Sequence, residues 1–273
     1  MTQVELHHGA ATDVGLLRET NEDAYLVAPP VFVVADGMGG HENGDVASRI
    51  VVEEFARLAD AGYDPTEGDA AVRAALEASQ ARITEYAGDG VGGLGQRRTP
   101  GTTVVAALLV EEQGAPAWLL VNLGDSRIYA VSDGALHQVS TDHSVVQELI
   151  DAGRITAAQA ADHPERHVIT RALGGPRLEP ADYFLVPVGE VQRLLLCTDG
   201  ISGLVDDEQI EAVLTQTPDP RDAADALVAA ALAAGGDDNA TAVVVDVVGL
   251  VPDEDYDSER QRASLEQKLG ALP

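Results

Sequence analysis

The sequence predicts an α+β fold in which helices cover an antiparallel β core. Three observations predict it. Strand-like runs in the middle of the chain follow one another across turn-length gaps; apolar stripes at helical spacing stand in two groups, one after the first strands and one before the last; and no central gap accommodates the helical crossover that a parallel sheet requires.

VFVVA (Val31–Ala35) is a continuous apolar run of strand length. Ala47, Val51, Phe55 and Leu58 then recur at helical spacing, as do Val72, Leu76, Ile83 and Tyr86, each set with a charged back. The Gly-rich stretch Tyr86–Pro100 separates the second helix from the next strand and reads as a mobile loop. Thr102–Val110, Trp118–Val121 and Arg127–Val131 are strands joined through Glu111–Pro116 and Leu123–Ser126, which predicts an antiparallel meander with Asp125 in a hairpin turn. Ser140–Pro180 is irregular, with short helices at Val145–Ala152 and Ala157–Ala161, and reads as an insertion. Tyr183–Val188 and Arg193–Cys197 are further strands. Ala224, Leu227, Val228 and Ala231 share one face of a helix over Asp222–Ala234, and Thr241–Val248 is the last strand. Beyond it Leu265, Leu269 and Leu272 fall at i, i+4, i+7 in a polar segment, where a terminal helix and disorder both stand open. The expected organisation is a domain over 1–248, its insertion at about 140–180, and an acidic tail over 249–273.

Of 273 residues 45% are hydrophobic, enough for a large core, and 46 acids against 17 bases leave a net charge of −29. Such a polyanion is repelled by nucleic acid and by anionic membrane surfaces, so neither is an expected partner. Cys197 stands alone, which excludes an intramolecular disulfide. No apolar stretch approaches the ~20 residues of a membrane span and the N-terminal residues lack a leader pattern, so a cytoplasmic enzyme or regulator is expected.

Aspartates recur where strands run into glycine or asparagine: Asp36-Gly37 after VFVVA, Asp125 after WLLVNLG, Asp199-Gly200 after RLLLCT, and Asp238-Asn239 before ATAVVVDV. Each alone reads as ordinary turn chemistry. Converging at strand ends, they would repel one another unless a cation sat among them. An all-oxygen donor set selects hard ions, Mg²⁺ or Mn²⁺ over Zn²⁺. Two such ions ~3.5–4 Å apart, bridged by a carboxylate, can supply a hydroxide nucleophile for in-line displacement at phosphorus.

The ordered set TDVGLLRETNED (Thr12–Asp23), VVADGMGGH (Val33–His41), GTT (Gly101–Thr103), GDSR (Gly124–Arg127), TDG (Thr198–Gly200) and DDNAT (Asp237–Thr241) closely resembles the metal-dependent type 2C serine/threonine protein phosphatases in their bacterial form. That resemblance implies a four-layer α-β-β-α sandwich, two antiparallel sheets packed face to face and flanked by helices, with a dinuclear Mn²⁺ or Mg²⁺ centre at one edge. By motif position it implies that Asp36 bridges both ions, that the Gly37 carbonyl completes the first site, and that Asp199 and Asp238 bind the second. Asp238, directly before Asn239, matches better than its neighbour Asp237. Asp125 would share a third, weaker ion with Asp199. Arg18 matches the arginine that holds the substrate phosphate, and Glu22 and Asp23 would orient metal-bound waters.

One departure concerns the general acid. Many eukaryotic members carry a histidine after the Asp-Gly pair, where this chain has Met38; His41 and a metal-bound water are the remaining candidates. The insertion resembles the flap that flanks the active site in bacterial members, and His143 and His163 within it read as solvated. Cys197 reads as a buried core thiol. The expected activity is hydrolysis of phosphoserine and phosphothreonine in proteins without a phosphoenzyme, opposite a bacterial serine/threonine kinase. Rival readings are a non-catalytic phosphoprotein-binding regulator on the same fold and a structural Ca²⁺ protein.

Overall fold

The computed structural model describes residues 3–39, 43–89 and 100–251. The first half contains β1 (Gln3–Asp13), β2 (Ala24–Ala28), β3 (Val31–Ala35), β4 (Gly37–Met38), α1 (Gly44–Ala61), α2 (Gly68–Asp89), β5 (Gly101–Thr102), β6 (Val104–Glu112) and β7 (Ala115–Leu123). The second half contains β8 (Arg127–Ser132), β9 (Ala135–Gln138), α3 (Val145–Asp151), α4 (Ala157–Ala160), β10 (Asp182–Pro187), β11 (Arg193–Cys197), α5 (Asp199–Ser202), α6 (Asp207–Gln216), α7 (Pro220–Ala234) and β12 (Ala240–Val251). The strands form two sheets in the orders β1-β12-β11-β8-β9 and β10-β7-β6-β3-β2, with β4 and β5 as a short separate ladder. Neighbouring strands run antiparallel in both sheets.

Period-2 alternation builds three apolar layers from these strands. Phe32, Val34, Trp118, Leu120, Ile128, Leu194, Leu196 and Val243 fill the space between the sheets. Val31, Val33 and Ala35 turn the other way, onto Val51 and Phe55 of α1 and Leu76 and Ile83 of α2. On the opposite outer face Leu195, Cys197 and Val244 meet Ile201, Ile210, Leu227 and Ala231 of α5–α7. Burial on both faces explains why β3 and β11 read as unbroken apolar runs, and the result is the expected four-layer α-β-β-α sandwich. Burial raises the Cys197 thiol to about 12, so it is an inert core residue as expected.

Three departures from the sequence reading have local causes. β7 and β8 do not form a hairpin: they lie in opposite sheets, so the meander ends at the β6–β7 pair and the chain crosses the sandwich at Gly124. Gly124 turns there with φ of 128°, and a Cβ on it would strike the Thr103 side chain. β1, β2 and β9 escaped the pattern: they are outer strands without a long apolar run, whereas β10, also outer, keeps the run Tyr183–Val186; β1 also carries a bulge at Glu5/Leu6 and the polar pair His7-His8. Finally, α2 runs through Tyr86 to Asp89, while the remainder of the expected loop, 90–99, lies outside the described residues. The last strand extends to Val251, and 252–273 are likewise outside.

Candidate metal and phosphate site

The site stands where β3, β7 and β11 end and β2 and β12 begin. Asp36 follows β3, and its backbone is clamped on both sides by the Gly101–Thr103 motif. Its N–H donates to Thr103 Oγ1 (3.0 Å), and its carbonyl accepts from Thr102 Oγ1 (2.8 Å) and the Thr103 N–H (2.9 Å). Thr103 Oγ1 is itself 2.8 Å from Ser126 Oγ in the Gly124–Arg127 motif. These motifs therefore act as a scaffold that aims one carboxylate.

The sequence predicts turn glycines at Gly37 and Gly200, but neither has positive φ. What they need is space. A Cβ on Gly37 would overlap the Gly44 carbonyl and the Glu22 carbonyl, and one on Gly200 would overlap the Asn239 carbonyl. Asp199 is not in a turn either, since it opens the short helix α5. Close approach of backbones seats the Asp36-Gly37 segment against Glu22 and the start of α1, and the Asp199-Gly200 segment against the start of β12.

Asn239 and two threonines hold the remaining acids. The Asn239 side chain donates to the carbonyls of Val14 and Thr20 (both 2.9 Å) and accepts from the Glu22 N–H (2.8 Å), stapling the loop that carries Arg18. Asp23 Oδ2 accepts from Thr198 Oγ1 (3.0 Å) and Thr241 Oγ1 (2.7 Å), so the residues flanking Asp199 and opening β12 fix its direction. The sequence reading used Asn239 only as a positional marker and gave the threonines no role. Their signal was present as the T-D-G and D-N-A-T spacing, but hydrogen bonds spanning more than 170 residues leave no local pattern.

Electrostatics show the acids facing one space. Asp36 is raised well above an ordinary carboxylate, first by desolvation and then by Asp23, Asp199, Asp125 and Asp238. Desolvation also leads for Asp23, pushed up to about 7, and for Asp125, pushed up to about 8, where Asp199 is the strongest repelling neighbour. Asp199 is raised by desolvation and by Asp238, while a side-chain bond with Asp36 and the charges of His167 and Arg18 oppose the rise. Oδ1 of Asp23, Asp125 and Asp199 is buried with no hydrogen-bond partner. Asp238 is half-buried and accepts from Arg18 Nη2 at 2.7 Å, whereas Asp237 is exposed, in keeping with the choice between them.

Among the described residues no three His, Cys, Asp or Glu side chains close on one point as a ready-made cage. Hard ions that keep several waters need few protein oxygens each, and orphaned buried oxygens in an all-oxygen set suit Mn²⁺ or Mg²⁺. Of the residues expected here, Arg18, Glu22, Asp23, Asp36, Gly37, Asp125, Asp199 and Asp238 come together. His41 lies outside the described residues. His143 corrects an expectation: it is 4% exposed, not solvated, because its ring is bonded on both sides.

Comparison with known proteins matches this geometry. The sequence model of the Protein phosphatase 2C family covers residues 18–234. Serine/threonine protein phosphatase PstP of Mycobacterium tuberculosis is 40% identical over 92% of this chain, which spans 46% of that relative, about half its length. Serine/threonine phosphatase stp of Listeria welshimeri is 34% identical over 88% of this chain and 96% of its own. The solved catalytic domain of PstP in complex with two manganese ions superposes with a TM-score of 0.77 at 37% identity, covering 90% of this chain and all of that one. With the acids, the clamps that aim them and the sheet order all in place, the chain belongs to the protein phosphatase 2C family.

Proposed function

We propose that this protein hydrolyses phosphoserine and phosphothreonine monoesters in phosphoproteins, at a dinuclear Mn²⁺ or Mg²⁺ centre held by Asp36, the Gly37 carbonyl, Asp199 and Asp238. The observation that carries the reading is the convergence of acids from five chain segments with buried oxygens left unpartnered. When bound, the ions supply an acidified water and Lewis-acid relief of charge at phosphorus. Glu22 and Asp23 orient water beside them, Asp23 being fixed in direction by its two threonines. Arg18, half-exposed beside Asp238, presents the remaining donors of its guanidinium to phosphate oxygens. A manganese-bound relative of the same fold and the names of the Mycobacterium and Listeria relatives support this reading. The matching counterpart is a serine/threonine kinase, and the cytoplasm is the compartment assigned, in keeping with a single buried thiol. Among the described residues no helix is long and apolar enough to cross a membrane. The test is release of phosphate from a phosphothreonine peptide with and without Mn²⁺. Full turnover by chelated enzyme would overturn the reading.

Arg18→Ala is expected to lower kcat/KM roughly 10- to 150-fold, the value of a charge-assisted bond of ~1.5–3 kcal/mol. Steady-state kinetics with the peptide check it, and an unchanged kcat/KM would free Arg18 of the role. A net charge of −29 also predicts that peptides with basic flanks outcompete acidic ones at low salt and converge with them as screening rises. Competition assays across a salt series measure this, and a preference for acidic flanks at low salt would contradict it.

A further inference from the structure

We infer that Leu16 and Leu17 form an apolar ledge that selects phosphopeptides carrying a large apolar side chain within two residues of the phosphorylated serine or threonine. The inference rests on the reading of Arg18 as the residue that holds the phosphate, and it names the class of sequence that such a site prefers. Leu17 is 72% exposed and Leu16 66%, which makes them the two most exposed large apolar side chains among the described residues. A single exposed leucine is ordinary on a protein surface. This pair is consecutive and stands directly before Arg18.

The exposure is built into the backbone. Gly15 enters the segment with φ of 80° and its N–H donates to Asp13 Oδ1 at 2.8 Å, while a Cβ there would strike the Asp238 carbonyl. The Leu16 N–H donates to the Gly236 carbonyl (2.6 Å), and the Asn239 side chain holds the Val14 and Thr20 carbonyls on either side of the pair. Arg18 is fixed in turn by Asp238. The fold therefore pins the chain from Val14 to Thr20 and holds two leucines in water beside the guanidinium. Consecutive Cα atoms are about 3.8 Å apart, so a peptide whose phosphate meets Arg18 brings the residues next to its phosphoresidue over Leu17 and Leu16. An apolar side chain there covers its own surface and that of the ledge; serine leaves both wet. A second copy of the chain is a poorer occupant, because two side chains fall far short of the ~800 Å² per partner that a specific protein interface buries.

Phosphothreonine peptides that differ only in leucine or serine at one of the two positions on either side of the phosphoresidue test this. Both residues are uncharged, so the attraction of basic flanks does not enter the comparison. With Mn²⁺ and wild-type protein, leucine in at least one of those positions is expected to raise kcat/KM roughly 3- to 20-fold over serine. In the double variant Leu16→Ser, Leu17→Ser, which loses no buried contact of the core, the two peptides are expected to converge. Leu185→Ser removes another exposed leucine, on the outer strand β10, and is expected to keep the wild-type preference. Equal turnover of leucine and serine peptides at all these positions by wild type would overturn the inference. So would a preference that survives the double substitution, or one that Leu185→Ser abolishes as well. The serine peptide separates the two readings: if wild type hydrolyses it, the phosphatase reading stands whatever becomes of the ledge, and if wild type hydrolyses neither peptide, both readings fall.

Discussion

Asp36→Asn is expected to abolish turnover and, at alkaline pH, to make the metal-free protein more stable. The loss follows from the role proposed for Asp36, a carboxylate that would be shared by both ions: Lewis-acid stabilisation is worth several kcal/mol, so kcat falls by on the order of 10³-fold or more. The gain follows from the sign of the carboxyl shifts. An aspartate whose folded pKa stands above its unfolded value keeps in the fold a proton that the unfolded chain has released. Its stability is fully present below the unfolded value of 3.8 and is lost as pH rises through the folded values, about 7 for Asp23 and about 8 for Asp125, with Asp36 also raised. Thermal melts of chelated wild type should therefore fall from pH 5 to pH 8. The asparagine variant, which has one fewer charge to accommodate, should fall less. Mn²⁺ at pH 8 should raise the wild-type melting temperature by more than that of the variant. Identical pH slopes in the two proteins would show that the acids do not share a space.

Arg193→Met is expected to cost about 3–5 kcal/mol, because it strips one partner from a buried charge pair and leaves the other. Arg193 is 7% exposed at the start of β11 and bonds to both carboxylate oxygens of Asp246. It also donates to the carbonyls of Leu214 (2.6 Å), Thr217 (2.7 Å) and Pro218 (2.8 Å), closing the end of α6. For a chain of this size that corresponds to a fall of roughly 6–20 °C in Tm. Lysine has a single ammonium and cannot reproduce the fork, so Arg193→Lys should recover little. Activity per folded molecule should be unchanged, since the site lies at the other end of β11. A methionine variant melting within a few degrees of wild type would contradict the assignment of this network to stability.

The layers were legible because periodicity survives wherever a strand or helix is buried on a continuous face, as in β3, β11 and α7. An outer strand keeps that signal only where it carries an apolar run, as β10 does; β1 needs β12 beside it before its alternation means anything. The crossing from β7 to β8 is equally invisible, since a four-residue gap fits a hairpin and a sheet-to-sheet step alike, and only interior packing chooses between them. The residues proposed to hold metal and phosphate stand out through ordered motifs, while the groups that aim them do not. Thr103, Asn239 and Thr241 act across distances in sequence that a motif cannot encode, and His143 carries no mark separating a buried node from a solvated side chain.

The acids belong to different leaves of the sandwich. Asp36 leaves a strand of one sheet, Asp199 leaves a strand of the other, and Asp23, which opens β2 in the first sheet, is bonded to threonines of the second. The separations among these carboxylates are therefore a gauge of how the two sheets lie on each other. Ions gripping acids from both leaves would rivet the seam, and any slip between the leaves would be read out as a change in grip. Interior residues such as Trp118 and Leu196, buried between the two sheets, would thereby set the tolerance of the metal centre. Selection for metal affinity in this protein must act on the shape of the hydrophobic layer between the sheets as strongly as on the ligands at its rim.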